Sequence, residues 1–350
     1  MSGSTPKLIK QLREMTGAGM LDCKNALNET DGDLTKAVQA LREAGLSKAA
    51  KKAGNVASEG LITILVAEDF KKVTMTEVNA QTDFVAKNAN FINLTKEITS
   101  HVQNFSCKTS EELNETTING QNFVEFLNEK ISTIGENIVA RKMATIEAKN
   151  GVVNGYVHAN GKVGVILAAK CSDDAKEKTI KLLKNLSMHA SAMKPSVISF
   201  EDLDAKFIED ETRAIKAEIQ AQNDELKRLS KPLKKIPEFV SMSQITSEVL
   251  ENAKQTMQDE LKKQGKPEKI WDKIIPGQVQ RFIEDNTQLD QRMALLSQAY
   301  VMNDKISVKE AIKEVDASIE LVEYVRFELG EGIEKKEEDF AAEVAKQMAK

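Results

Sequence analysis

Twice along this chain a pair of β-patterned runs is followed by a helical stripe, and that repetition limits the folds open to it. Leu61 to Glu68 and Val73 to Asn79 are rich in β-branched and apolar residues around the polar break Asp69-Phe70-Lys71-Lys72, the pattern of a hairpin. The alternation is imperfect, because Glu77 and Val78 exchange the expected faces. Phe84, Phe91, Leu94, Ile98 and Val102 then recur at helical spacing, with Thr82 a suitable N-cap. The next helix is expected to carry Phe123, Phe126, Leu127, Ile131, Ile134 and Ile138. Val152 to Ala159 and Lys162 to Lys170 flank Asn160-Gly161, the strongest short hairpin signal. A helix through Ile180, Leu183 and Leu186 follows and ends near Lys194-Pro195. The plan predicts an α+β protein with two related core subdomains built on small antiparallel sheets. Residue-level similarity between the halves is too weak to establish a repeat.

Ahead of this core the spacing predicts a three-helix bundle. Pro6 suits a helix start, and Leu8, Ile9, Leu12 and Met15 mark one face. Thr16-Gly17-Ala18-Gly19 supplies a tight turn. Leu21, Ala26 and Leu27 are expected to face inward on the second helix. Asp33 is a plausible cap for the third, whose stripe is Leu34, Ala37, Val38 and Leu41 and which Gly45 is expected to close. The basic run Lys48 to Asn55 reads either as a solvated linker or helix end, or as a contact for an acidic partner.

Beyond Phe200 the composition becomes long, charged and helical, through Leu203, Phe207, Ile215, Ile219, Leu226 and Leu229 and then Val249, Leu250, Met257 and Leu261. Pro232 and Pro237 interrupt it and Gln264-Gly265-Lys266-Pro267 turns it, so a protruding helical hairpin or coiled coil is expected. Pro276 lacks the N–H that a helix interior needs, which predicts a break or kink. Ile319 to Phe327 is strand-like and is expected to complete the second sheet, and Asp339 to Val344 to start a last short helix. The expected divisions are a bundle with basic linker (1–55), a core N-subdomain (56–150) and a core C-subdomain (151–200 and 286–335). An inserted arm (201–285) and a terminal helical module (336–350) complete them.

Composition removes several functional classes. A length of 350 residues exceeds what one core usually serves, and 29% charged with 5% aromatic residues suits helix-rich architecture. A formal charge of −5 argues against general nucleic-acid binding. Cys23, Cys107 and Cys171 form no CxxC frame, which fits a reducing compartment. Met1 to Pro6 has no secretory pattern and no apolar run approaches the roughly 20 residues of a membrane span, so a cytoplasmic protein without membrane contact is expected. His101, His158 and His189 share no metal-ligand spacing, and no phosphate loop, GxGxxG or GxSxG elbow occurs. Neither a metal, a cofactor nor an enzymatic activity is expected.

Four motifs carry a resemblance. Leu12-Arg13-Glu14-Met15-Thr16-Gly17-Ala18-Gly19-Met20-Leu21-Asp22-Cys23-Lys24 is similar to the opening motif of bacterial elongation factor Ts, and Lys51 to Ala57 to the start of that family's core domain. Thr82-Asp83-Phe84-Val85-Ala86-Lys87-Asn88 resembles its signature, and Gly330 to Lys335 its carboxy-terminal block. The motifs stand in the family's order and span the chain. They imply a guanine-nucleotide exchange factor that binds the GDP-bound GTPase elongation factor Tu, disturbs its magnesium and phosphate site, and promotes GDP release so that GTP can bind. The bundle resembles ubiquitin-associated folds, and the arm is roughly 40 residues longer than the family's, beyond ordinary loop variation.

The resemblance places Thr82, Asp83, Phe84 and Val85 beside the partner's nucleotide site and His158 near its phosphate side. Arg13, Met20 and Leu21 are implied to touch the GTPase domain; the family often has Met where Leu21 stands. Ile134 lies in a block, Ile134-Gly135-Glu136-Asn137-Ile138, that resembles one near the interface, and Phe340 and Val344 on a helix that packs on the partner. Plainer readings compete at each position. Asp83 and Phe84 also suit an ordinary helix start, Met20, Leu21 and Ile134 a core, and His158 a surface turn. At the level of function the competitor is a non-catalytic protein-interaction or chaperone-like module built on the bundle. A magnesium-dependent hydrolase using Asp83 lacks a companion carboxylate cluster. A homodimer or a two-plus-two complex is left open by the long arm.

Overall fold

In the computed structural model of the chain, residues 4–333 are described. Phe340 and Val344, with the helix expected around them, lie outside the described residues. Among the described residues the chain forms two compact units: 4–149, 153–166 and 325–333 in one, 150–152 and 167–324 in the other.

Three helices open the first unit. The helix α1 (Pro6–Thr16) begins with Thr5 accepting from the Leu8 N–H and ends at Gly17, whose φ of 67° is the left-handed form a glycine adopts freely. It is followed by α2 (Met20–Glu29) and by α3 (Leu34–Lys52), capped by Asp33. Leu12, Cys23, Ala26, Leu27 and Ala37 form the bundle's small core. Leu21 is not inward as its helix position suggested: Cys23, Ala26 and Leu27 share the buried face, while Leu21 points to solvent. Gly45 does not close α3 either. The helix-favouring Leu46-Ser47-Lys48-Ala49-Ala50 that follows outweighs the roughly 1 kcal/mol a helical glycine costs, so the basic run becomes the helix end.

The first sheet begins with β1 (Glu59–Val66) and β2 (Lys72–Ala80), paired antiparallel as the hairpin pattern predicts. Gly60 sits at φ 136°, and a Cβ there would overlap the Val78 carbonyl oxygen. A short helix α4 (Asp83–Ala86) is separate from α5 (Ala89–Phe105), because Asn88 starts a new helix by accepting from the Asn90 N–H. Phe84 therefore leaves the stripe on which spacing placed it, while Phe91, Leu94, Ile98 and Val102 bury against the sheet. After α6 (Ser110–Asn114) and the tiny hairpin β3 (Thr117–Ile118) and β4 (Gln121–Asn122), α7 (Phe123–Ile134) ends on Gly135 at φ 89°. Ile138 is consequently not helical. It opens β5 (Ile138–Glu147), giving the strand order β1-β2-β5. Between Glu77 and Val78 the β2–β5 register shifts, leaving Arg141 of β5 as the extra residue; β2 is buried on both faces from Val73 to Ala80, so its alternation is masked along the whole strand and not only at Glu77 and Val78.

The second hairpin, β6 (Val152–Val157) and β7 (Val163–Lys170), turns at Asn160-Gly161. Glycines 155 and 164 let it lie close on the first sheet: a Cβ on Gly164 would meet Ile62 Cγ2 at 2.5 Å and Met75 Sδ at 2.7 Å. Then come α8 (Lys176–Met193), ending at Lys194 as expected, and α9 (Ala205–Arg228). In the second unit α9 buries Ile208 and Ile215 with Val240 and Leu289. The proline-bearing segment after it is tied back through Asn223, which exchanges two hydrogen bonds with the Lys234 backbone at 2.7 and 2.8 Å. The helical hairpin is α10 (Ser247–Lys263) against α11 (Trp271–Asp285). Pro276 does not break α11, which continues to Asp285. The return path, α12 (Gln288–Met293), β8 (Ala299–Tyr300), β9 (Asn303–Ser307) and α13 (Val308–Val315), leads into β10 (Glu320–Glu328). β10 completes the order β10-β7-β6, so each hairpin receives its third strand beside its second one.

Candidate functional site

At the end of β2 the chain leaves the sheet just after Ala80 pairs with Ile138, and the next two backbone N–H groups have no strand to bond. Glu136, immediately before β5, supplies the acceptors. Its Oε2 accepts from the N–H groups of Gln81 and Thr82 at 3.1 and 3.0 Å, and its Oε1 from the Thr82 hydroxyl at 2.6 Å. The Thr82 hydroxyl in turn accepts from the Val85 N–H and so caps α4. Gln81 Oε1 accepts from the Asn137 N–H at 2.8 Å and from Asn55 Nδ2 at 3.3 Å, and Asn137 Nδ2 donates to the Asn55 carbonyl at 2.8 Å. Three of the sequence blocks that stand apart in the chain thus meet in one polar network.

On this base α4 divides its side chains by position. Ala86 is buried and Val85 packs against the core, whereas Phe84 is 80% exposed. Asp83, at the first helical position, pairs with Lys87 Nζ at 2.6 Å. That hydrogen bond holds its carboxyl below the ordinary range, and the charge of Lys162 acts in the same direction. Lys162 belongs to the β6–β7 turn, whose Gly161 carbonyl accepts from the Ile62 N–H at 2.8 Å and whose Lys162 Nζ pairs with Glu59 at 3.0 Å. The turn carrying His158 is thereby fixed to the start of β1. His158 itself is exposed, and its Nδ1 lies 3.3 Å from the Tyr156 hydroxyl.

The other expected residues stand elsewhere. Arg13, Met20 and Leu21 are exposed on α1 and α2, Met20 63% and Leu21 69%. Ile134 is half-buried and packs against the core of the first unit. Sequence reasoning did not single out Asn55, Gln81, Glu136 or Asn137. Their signal was adjacency: each lies inside or beside a quoted block, but the bonds joining them span 26 to 82 residues. The Gly330 block is anchored in the same unit. The Gly330 N–H donates to buried Glu77 at 2.9 Å, Arg141 pairs with Glu77 at 3.2 Å, and Arg141 Nη2 donates to the Glu331 carbonyl.

Among the described residues no group of three or more His, Cys, Asp or Glu could hold a metal ion, and no helix is long and apolar enough to cross a membrane. The fold and this corner define a class: a mixed α+β protein that offers an aromatic side chain on a firmly held helix start. The family model described as Elongation factor TS matches residues 81–236 and 234–331. Proteins named Elongation factor Ts are similar over their whole length: that of Aliarcobacter butzleri is 67% identical over 350 residues, covering 100% of both chains. That of Campylobacter fetus subsp. fetus is 56% identical over 98% of each, and that of Wolinella succinogenes 53% over 99% of this chain and 100% of its own. The chain belongs to the elongation factor Ts family, the nucleotide-exchange factors of translation elongation. Such a factor promotes exchange and catalyses no chemical reaction of its own. Because these relatives align end to end, the long arm is a feature they share.

Proposed function

We propose that the chain acts in the cytoplasm on the GDP-bound GTPase elongation factor Tu, with Thr82 to Val85 as the element that disturbs the partner's magnesium and phosphate site. The observation that carries this reading is Phe84: a large apolar ring, 80% exposed, on a helix whose start is held by three hydrogen bonds to one carboxylate. A partner that buries this exposed ring gains the free energy of removing its apolar surface from water.

The partner holds GDP because magnesium and phosphate-loop donors neutralise the phosphates. A factor that binds the distorted, nucleotide-free partner better than the GDP-bound one must weaken GDP binding by the same free energy. Burying the Phe84 ring only in the distorted state supplies roughly 1.5–3 kcal/mol, about tenfold to a hundredfold. Asp83, engaged with Lys87 in the free chain, assists from the neighbouring position. His158 works at the phosphate side, and Arg13, Met20 and Leu21 hold the GTPase domain through the bundle. Ile134 supports the interface from the core, and Phe340 and Val344 add the terminal contact. The proposed working parts are the bundle (1–55), core subdomains (56–150; 151–200 with 286–335), arm (201–285) and terminal module (336–350). Neither nucleic acid nor membrane is a partner. Sedimentation of the full chain, alone and with elongation factor Tu, distinguishes a one-to-one complex from a homodimer or two-plus-two assembly.

The decisive experiment is stopped-flow release of fluorescent GDP from elongation factor Tu by the wild-type chain and by Phe84→Ala. The variant is expected to lose roughly tenfold or more of the acceleration while remaining folded. Full acceleration by Phe84→Ala sinks the wedge; no acceleration by the wild type sinks the exchange activity itself.

A further inference from the structure

We propose that Glu136 is a positioning residue for nucleotide exchange: its carboxylate holds the start of α4 so that Phe84 is presented at a fixed angle. The proposal rests on the reading of Phe84 as the element that acts on the partner. Glu136 would touch neither the nucleotide nor the magnesium; it acts through Thr82.

The geometry is specific. One carboxylate takes three donors from two consecutive residues, the Gln81 and Thr82 N–H groups on Oε2 and the Thr82 hydroxyl on Oε1, at 2.6–3.1 Å. With the hydroxyl proton directed at Glu136, the Thr82 oxygen offers its lone pairs to the Val85 N–H, so capping and clamping use one hydroxyl without conflict. The clamp comes from a rigid base, since Glu136 sits between the Gly135 cap of α7 and the first residues of β5, and Asn137 ties the same turn to Gln81 and Asn55. A four-residue helix cannot hold its own geometry, because helix nucleation is unfavourable until packing or caps stabilise it. Charge-assisted bonds to backbone N–H groups are the strong ones. A wedge held this way spends little of its binding free energy on being ordered.

The test measures GDP release from elongation factor Tu as a function of factor concentration, for full-length wild type, Glu136→Ala, Glu136→Gln, Phe84→Ala and the double variant Glu136→Ala/Phe84→Ala. Glu136→Ala is expected to lower the maximal release rate roughly tenfold, the factor that losing one charged hydrogen bond amounts to, with the half-saturating concentration changed less than about twofold. Glu136→Gln, whose amide keeps one acceptor oxygen for both N–H groups, is expected to stay within about threefold of wild type. In the Phe84→Ala background Glu136→Ala is expected to remove less than about a further twofold, because the clamp has no wedge left to position. An equal loss in both backgrounds would mean that Glu136 only supports the fold, and the proposal falls. A defective Phe84→Ala beside a folded, fully active Glu136→Ala overturns the positioning role alone. Full activity of Phe84→Ala overturns the underlying reading. Should Glu136→Ala not fold, Glu136→Asp, whose carboxylate is one methylene too short to meet all three donors, carries the test in the same two backgrounds: a lowered maximal rate only where Phe84 is present supports the role, and an equal loss in both backgrounds or a wild-type rate refutes it.

Discussion

At the scale of single residues the chain separates groups that support from groups that project. Glu77 is fully buried, yet it is met by Arg141 at 3.2 Å, the Gly330 N–H at 2.9 Å and, further off, Lys142. Its carboxylate joins the sheet bulge to the Gly330 block, which explains why a charged residue sits in the middle of a strand. Arg141→Ala leaves that charge short of its main partner and is expected to cost about 3 kcal/mol, read as a lower midpoint in urea denaturation. An unchanged midpoint would show that Gly330 and Lys142 suffice. Phe84 is the opposite case. It contributes little to the core, so truncating it is expected to leave stability within about 0.5 kcal/mol while exchange falls.

At the scale of elements, α8 shows how a helix binds the segment that returns to it. His189 is buried in the second unit, with Nε2 3.0 Å from Gln298 Oε1 and Nδ1 accepting from the Val301 N–H at 3.2 Å. Both nitrogens are therefore committed to a neutral ring with its proton on Nε2. Burial depresses its pKa, outweighing the bond to Gln298 that acts the other way, and burial lowers His101 in the first unit as well. Because the folded values lie below the unfolded value of about 6.5, the unfolded chain takes up these protons first as pH falls. Stability is complete above about pH 6.5 and declines from there toward the folded values. Urea midpoints followed by circular dichroism from pH 7.5 to 5 are expected to fall, and His189→Gln to flatten part of that decline; a parallel decline would exclude His189 as a source.

The same scale explains what sequence reading reached. Hairpins were legible because β-branched runs around Asp69-Phe70-Lys71-Lys72 and Asn160-Gly161 are local signals, and Thr82 as a cap needed only its neighbours. The strand β5 was missed because Ile138 falls at helical spacing from Ile131 and Ile134, and only the left-handed Gly135 stops α7 before it. Gly45 does not close its helix and Pro276 does not end its own, since both helices continue past them. Of the candidate site, the helix start at Thr82 was legible locally, while Asp83 and Phe84 were singled out only through the resemblance, since their types alone also suit an ordinary helix start. The clamp on Thr82 depends on Glu136, 54 residues away, and no local pattern encodes that approach.

For the whole molecule the central claim is thermodynamic. An exchange factor carries no bond-making chemistry, so its effect equals the difference between its affinities for two states of the partner. In the proposed reading, exposed apolar groups on the bundle would add affinity to both states, whereas a wedge at α4 would add to one state only. Titration calorimetry of elongation factor Tu with wild type and Phe84→Ala, each with saturating GDP and with none, tests this directly. The wild type is expected to bind the nucleotide-free partner far more tightly than the GDP-bound one, and Phe84→Ala to shrink that ratio by roughly tenfold or more with little change in affinity for the GDP-bound partner. An unchanged ratio, with both affinities lowered alike, would contradict the account.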